Sequence, residues 1–199
     1  MQVKIKKQGK TNTFKLIDSW KDVTLEKWLK LIDFEKGTKT EEATETIAAL
    51  SNIPKQLIKE LALSDVAEIM SRVGKLQEEQ DTSLKRIITV NDVEYGFHPN
   101  LDDITLGEYA DIETFIKGGV EKNLTSLMAI LYRPVKEKKN DVYIIDAYDG
   151  DIRMRAEEMK QMSAEQVQAS LFFFYNLGKV LSEILPLYLM QRLKEMKKQ

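Results

Sequence analysis

Trp20-Lys21-Asp22-Val23-Thr24-Leu25-Glu26-Lys27-Trp28 and Leu101-Asp102-Asp103-Ile104-Thr105-Leu106-Gly107-Glu108-Tyr109 stand 81 positions apart. They share one skeleton: apolar, any residue, Asp, β-branched, Thr, Leu, two further residues, aromatic. At the same offset Ala43, Thr46, Ile47 and Leu50 lie over Leu124, Leu127, Met128 and Leu131, and one residue out of step Pro54 answers Pro134. A skeleton that keeps its order and spacing over this length reads as a duplicated unit.

Upstream of each copy lies a hairpin signal. Val3 and Ile5 alternate with polar residues, a turn follows at Gln8-Gly9-Lys10-Thr11-Asn12, and Phe14 and Leu16 mark the returning strand. In the second copy Ile87-Ile88-Thr89-Val90 meets Val93-Glu94-Tyr95-Gly96-Phe97 across Asn91-Asp92. Short β-branched and aromatic runs about a tight polar turn are what a hairpin needs.

Downstream, Thr24 and Thr105 fit as helix N-caps, because a hydroxyl accepts a hydrogen bond from an unpaired first-turn amide. Thr105 with Glu108 completes a capping box and Thr24 with Lys27 does not. Leu25, Trp28, Leu29 and Ile32 form one helical face, matched by Tyr109, Ile112 and Ile116. Gly37 and Gly118-Gly119 suit the ends of these helices. Thr38 with Glu41, and Asn123, cap the next helix of each copy, and Pro54 opens a short helix carrying Leu57, Ile58 and Leu61. A last helix follows Ser64 in the first copy and Ser163, boxed by Gln166, in the second.

The second copy carries about twenty extra residues between Pro134 and Ser163, including a strand at Val142–Ile145 and a turn at Asp149-Gly150. Its last helix runs on toward Met196, with a break near Pro186. Polar residues Gln77 to Ser83 link the copies.

The predicted fold is therefore α+β and mainly helical: two tandem diverged units, each a β-hairpin followed by about three helices, with a long C-terminal helix. The first unit spans 1–80. The second spans 84–199, with an insertion at about 135–158 and the extended C-terminal helix.

Composition narrows the chemistry. The chain has 199 residues, 43% of them apolar, enough to bury a core. It carries 30 basic and 32 acidic side chains, so net charge drives it toward neither nucleic acid nor membrane. With no cysteine, disulfides, thiolate metal sites and cysteine nucleophiles are excluded. Met1 to Lys7 lacks the apolar core of a secretion signal. Leu171–Met190 has the length of a bilayer span, but Asn176, Lys179 and Glu183 interrupt it, and charge in lipid costs several kcal/mol unless shielded. It reads as a buried or interface helix, and no membrane partner is expected.

No catalytic constellation is legible. His98, the single histidine, stands beside Pro99 at the end of a hairpin, with no sequence signal for triad or metal partners. Gly9-Lys10-Thr11 lacks the earlier glycine of a phosphate loop. Asp146, Asp149, Gly150 and Asp151 miss the EF-hand spacing and read as a turn with solvated carboxylates. Asp103, like Asp22, organises the start of a helix. No catalytic residue, cofactor, metal or small-molecule substrate is assigned. Lys4, Lys6, Lys7 and Lys10, then Lys136, Lys138 and Lys139, then Arg192, Lys194, Lys197 and Lys198, are patches able to touch phosphates, but the charge balance favours ordinary solvated faces over DNA contact.

Leu171-Phe172-Phe173-Phe174-Tyr175 places four consecutive aromatics all round one helix, and a chain this size rarely encloses a helix completely. Phe172, Phe173, Phe174 and Tyr175, with Leu185 and Leu189, are the residues expected at a protein interface. Trp20 and Trp28, each matched by an apolar or aromatic residue in the other copy, are expected core anchors.

Tyr95-Gly96-Phe97, Asp103 through Glu113 (Asp-Ile-Thr-Leu-Gly-Glu-Tyr-Ala-Asp-Ile-Glu), Leu127 through Val135 (Leu-Met-Ala-Ile-Leu-Tyr-Arg-Pro-Val) and Phe172 through Lys179 (Phe-Phe-Phe-Tyr-Asn-Leu-Gly-Lys) form a pattern over roughly residues 95 to 185. It resembles small proteins from the structural gene blocks of tailed bacteriophages, notably crAss-like phages of gut Bacteroidetes. The resemblance implies a non-enzymatic virion protein, a ring-forming subunit of the neck (the head-to-tail connection) or the tail, assembled in the host bacterial cytoplasm. Its implied partners are copies of itself and other phage structural proteins. A tail-assembly chaperone absent from the mature particle, or a DNA-contacting packaging or regulatory protein, are the alternatives.

Overall fold

The computed structural model describes residues 2–7, 10–34, 37–78, 83–140 and 142–173. The fold is α+β, with two small antiparallel sheets. In the first unit β1 (Gln2–Lys7) pairs with β2 (Lys10–Lys15), a 3-10 turn covers Trp20–Asp22, and α1 (Leu25–Phe34), α2 (Lys39–Leu50), α3 (Lys55–Ile58) and α4 (Leu63–Glu78) follow. In the second, β3 (Ile87–Val90) and β4 (Val93–Phe97) lead through a 3-10 turn at Leu101–Asp103 to α5 (Leu106–Lys117) and α6 (Leu124–Leu131). Then come β5 (Tyr132–Lys139), β6 (Val142–Ile145), α7 (Arg153–Met159) and α8 (residues 164–173). The expected extension of the last helix, its break at Pro186 and most of the expected linker lie outside the described residues.

The two units repeat backbone hydrogen bonds at the offset seen in the sequence. Asp22 N donates to Ser19 O at 3.1 Å, and Asp103 N to Asn100 O at 3.1 Å. Trp28 N donates to Thr24 O and Tyr109 N to Thr105 O, both at 3.0 Å. Ile17 N reaches Leu50 O at 2.9 Å, and His98 N reaches Leu131 O at 2.7 Å. Leu16 bridges Ser51 as Phe97 pairs with Tyr132. These bonds fix the route from hairpin through 3-10 turn to helix and back, so the repeated skeleton encodes a repeated path.

The units diverge where α2 and α6 end. In the first, Ser51-Asn52 is an aborted third strand: Asn52 N donates to Lys15 O at 3.0 Å and Asn52 Oδ1 accepts from Lys15 N at 2.6 Å. Pro54 then stands before α3. In the second the chain continues as β5, which joins the expected hairpin and the expected strand at Val142–Ile145 in one sheet of order β3-β4-β5-β6. Pro134 lies inside β5 opposite Tyr95 rather than opening a helix. The insertion supplies the rest of β5, β6 and α7, and Arg155 Nε of α7 donates to Ala129 O of α6 at 2.6 Å.

Local signals explain most boundaries. Thr38 with Glu41 and Thr105 with Glu108 form complete capping boxes. Asn91 and Asp92 take φ of 48° and 63°, the left-handed pair of a two-residue hairpin turn. Three expectations are corrected. Ser64 lies inside α4 rather than before it, so Ala62 holds the place that Ser163 holds in the second unit. Asn123 makes no side-chain cap, because its Nδ2 donates to Phe115 O and Gly119 O instead. Ser163 Oγ accepts from Gln166 N, but the Gln166 amide oxygen accepts from Lys85 N, so that box is only half made.

Each unit has its own core. The first gathers Ile5, Leu16, Trp20, Val23, Ile47, Leu50, Ile58 and Ile69, and the second Val90, Tyr95, Phe97, Ile112, Leu124, Met128 and Tyr132. One residue of each unit is buried in the other's core: Leu25 in the second and Ala164 in the first, with Trp28 against both. Gly96 of β4 leaves room for side chains that reach over it from β6: a Cβ there would stand 2.5 Å from Tyr143 Cε2 and 2.7 Å from Ile145 Cγ2. Gly96→Ala should therefore push the Tyr143 ring aside and strain its 2.6 Å bond to Phe97 O, lowering stability by about 1–3 kcal/mol in urea unfolding, the usual cost of overpacking.

Candidate interaction surface

The seam between the units is built on two helix starts. A helix leaves its first amides without internal partners. In α1 those amides are met by the loop before α8: Leu25 N donates to Met162 O at 2.7 Å and Glu26 N to Lys160 O at 3.0 Å. Ala164 N returns a bond to Val23 O at 2.7 Å, and Thr24 and Ser163 are antiparallel bridge partners. Leu25, Met162 and Ala164 are all buried, at no more than 1% exposure. Glu165, also buried, lies 4.0 Å from Lys21 Nζ of the first unit and 3.9 Å from Lys85 Nζ of the second. Its place in the first turn of α8 suits an anion, since the helix dipole is positive there.

The second unit presents the same construction with no described residue bonded to it. Leu106 occupies the position of Leu25 and is 84% exposed against 0%. Tyr109, in the place of Trp28, is 58% exposed. Leu106 N and Gly107 N find no carbonyl acceptor among the described residues. Ile116 and Val120 continue the apolar stripe. Sequence reasoning placed Tyr109, Ile112 and Ile116 on a stripe equivalent to a buried one; Ile112 is buried in the second core, but the reading missed that Tyr109 and Ile116 lie open. Whether a helix face is covered depends on a partner that its own sequence does not contain.

The residues expected at an interface are only partly described. Phe172 is 57% exposed on α8. Phe173 is less free: its ring stands edge-on to Phe97 at 5.5 Å between centroids, anchoring it to the second core. Phe174, Tyr175, Leu185 and Leu189 lie outside the described residues. Trp20 is a core side chain as expected. Further apolar surface lies on the edge strand β6, where Val142 and Ile144 are exposed.

The structure also assembles a polar cluster that sequence reasoning missed. Glu108 in the first turn of α5, Arg133 of β5 and His98 after β4 converge, with Glu108 Oε1 2.8 Å from Arg133 Nη2 and 3.6 Å from His98 Nε2. Glu108 Oε2 accepts from Thr105 N and Thr105 Oγ1, both at 2.7 Å. Arg133 lies against the Tyr148 ring, and the Tyr148 hydroxyl donates to Asp111. Burial alone would raise the Glu108 carboxyl, but the two Thr105 bonds and the Arg133 charge outweigh it and hold it below the usual range. Burial lowers the His98 imidazole despite the nearby carboxylate, so it is neutral near pH 7. With Glu108 at 1% exposure and Arg133 at 5%, the ion pair is buried and ties α5 to β5. Its signal was half visible, since the capping box named Glu108 but nothing local named Arg133.

The remaining candidates stay apart. Asp149 Oδ1 accepts from Asp151 N, Asp151 pairs with Arg153 and Asp146 with Lys136, which makes a turn with its carboxylates engaged. Among the described residues no group of acidic or histidine side chains is placed to hold a metal, and no helix is long and apolar enough to cross a membrane. Lys136 and Lys138 of the second basic patch are paired with Asp146 and Glu94. No family model, curated protein or solved structure matches this chain.

Proposed function

We propose that the protein is a non-enzymatic, self-associating structural subunit of a tailed bacteriophage particle, repeated in a ring at the head–tail connection or in the tail. The observation that carries self-association is the open face at the start of α5. The chain buries this face in its first unit and leaves it uncovered in its second. An apolar Leu–Tyr pair beside unpaired amides, on a 12-residue helix, is a face built for another protein surface rather than for water. The phage assignment is carried by the motif resemblance at Asp103–Glu113, Leu127–Val135 and Phe172–Lys179. Partners of the assembled ring are further copies and neighbouring virion proteins, met through β6 and α8 apolar residues.

Sedimentation of the purified chain across a concentration series, followed by imaging, tests this reading. The expected result is a discrete species above monomer mass that becomes more populated as concentration rises. A chain that stays monomeric throughout, also with phage partners added, would overturn it. Composition of purified particles then separates a virion subunit, which is present, from an assembly chaperone, which is not.

A further inference from the structure

Self-association alone does not say which surfaces meet. The intramolecular seam does, because one half of it recurs uncovered at each end of the duplication. The front half is the start of α1 (Val23 O, Leu25 N, Glu26 N), repeated at α5 as Ile104 O, Leu106 N and Gly107 N. The rear half is Lys160 O, Met162 O and Ala164 N, just before and at the start of α8. Its counterpart in the first unit is the start of α4. Val66 N closes the first helical turn on Ala62 O at 3.1 Å, as Val167 N does on Ser163 O at 3.1 Å. Ala62 thus answers Ser163, Leu61 answers Met162, Leu63 answers Ala164 and Lys59 answers Lys160.

That second rear half is also open. Leu63 is 87% exposed where Ala164 is 0%. Lys59 O and Leu61 O accept no bond, and Leu63 N donates none, among the described residues. Lys59, Leu61, Leu63 and Val66 line a groove of about 690 Å³ between α2 and α4. Each half carries what the other lacks: two free amides and a carbonyl in front, two free carbonyls and an amide behind, with exposed leucine on both.

We propose that copies join head to tail by repeating their own internal seam: the start of α5 of one copy docks on the Lys59–Leu63 segment of the next. Leu106 N then donates to Leu61 O of the neighbour, Gly107 N to Lys59 O, and Leu63 N of the neighbour to Ile104 O. Tyr109 enters the groove as Trp28 packs across the internal seam. The front and rear are different surfaces, so the contact is heterologous and generates a closed ring or an open filament, not a symmetric dimer. This inference rests on the self-association reading and adds its geometry.

The chain has no cysteine, which makes the contact directly testable by cross-linking. Thr24 and Ser163 are a non-hydrogen-bonded antiparallel pair, the type whose Cα atoms stand about 4.5 Å apart and suit a disulfide. The equivalent pair between copies is Thr105 and Ala62. On mild oxidation the full chain carrying both Thr105→Cys and Ala62→Cys should give a ladder of covalent multimers. Mixed single variants should give dimers of unlike chains only. Leu106→Asp and Leu63→Asp alter exposed residues outside both cores. Each should keep the unfolding midpoint of the parent chain while weakening association at least tenfold. Cross-linking of Thr105→Cys to itself as readily as to Ala62→Cys would overturn the head-to-tail contact in favour of a symmetric one. Multimers by sedimentation without any Thr105–Ala62 cross-link, or unaffected by both Asp variants, would overturn this contact and leave self-association standing. A chain monomeric under all conditions would overturn both.

Discussion

Glu108→Ala is expected to cost about 3–5 kcal/mol of stability, because it leaves the Arg133 guanidinium buried without its counter-charge. Arg133 is 4% exposed, and among the described residues its ion-pair partner is Glu108, with Oε1 at 2.8 Å. The same substitution removes the acceptor for Thr105 N and Thr105 Oγ1, so the capping box of α5 loses its side-chain half while Glu108 N keeps its bond to Thr105 Oγ1. A folded domain is stable by only about 5–15 kcal/mol, so a substantial part of the margin goes with one side chain. Urea unfolding monitored by tryptophan emission gives the number. Replacing both partners, Glu108→Leu with Arg133→Met, should recover most of the loss, since matched apolar groups carry no desolvation penalty. The pH dependence should follow. The Glu108 carboxyl titrates below its unfolded value, so its stabilisation is present above that value, near 4.5, and is lost as pH falls through the lower folded pKa. The Glu108→Ala chain should show a shallower acid decline. A cost under about 1 kcal/mol would mean that water reaches Arg133 and that the cluster is not the tie between α5 and β5.

The same cluster shows what could be read from the residues and what could not. The second hairpin, the threonine caps and the helical stripes are local, fixed by residues within a few positions of each other, and they stand where the sequence places them; in the first hairpin Lys10, Thr11 and Asn12, read as turn, instead belong to β2 and pair with Lys7, Lys6 and Ile5. The third strand β5 is not local. Its residues Tyr132-Arg133-Pro134 follow an apolar helix without a turn signal, and they become a strand only because Gly96 and Phe97 offer a free edge. Proline there, matched in the first unit by a proline before a helix, argued against a strand. Helix α7 was likewise unread: it has seven residues, and Ile152 before it makes no side-chain cap. The Glu108–Arg133–His98 cluster was unreadable for a further reason. At the equivalent positions the first unit has Lys27, Asn52 and Ile17, so comparing the copies gave no hint of paired charge. Phe172 was readable as a surface aromatic, but four aromatics in a row could not say that Phe173 would turn back onto Phe97.

Leu25→Ala and Leu106→Ala make the sharpest comparison the duplication allows, because the two leucines hold one place in one motif and differ only in what covers them. Leu25 is 0% exposed in the core of the opposite unit. Truncating it removes transfer energy and leaves a cavity, a loss of about 2–5 kcal/mol. The loss should be cooperative across the molecule, since Leu25 belongs to one unit by chain and to the other by packing. Leu106 is 84% exposed, so its truncation should change monomer stability by no more than about 0.5 kcal/mol. Association should respond in the opposite way. Leu106→Ala should weaken self-association measured by sedimentation, and Leu25→Ala should leave the intrinsic contact unchanged wherever the chain is still folded. If Leu106→Ala instead destabilised the dilute monomer as much as Leu25→Ala does, the start of α5 would already be covered within one chain. The difference between an internal seam and an external one would then vanish, and with it the reason to expect the same interface twice.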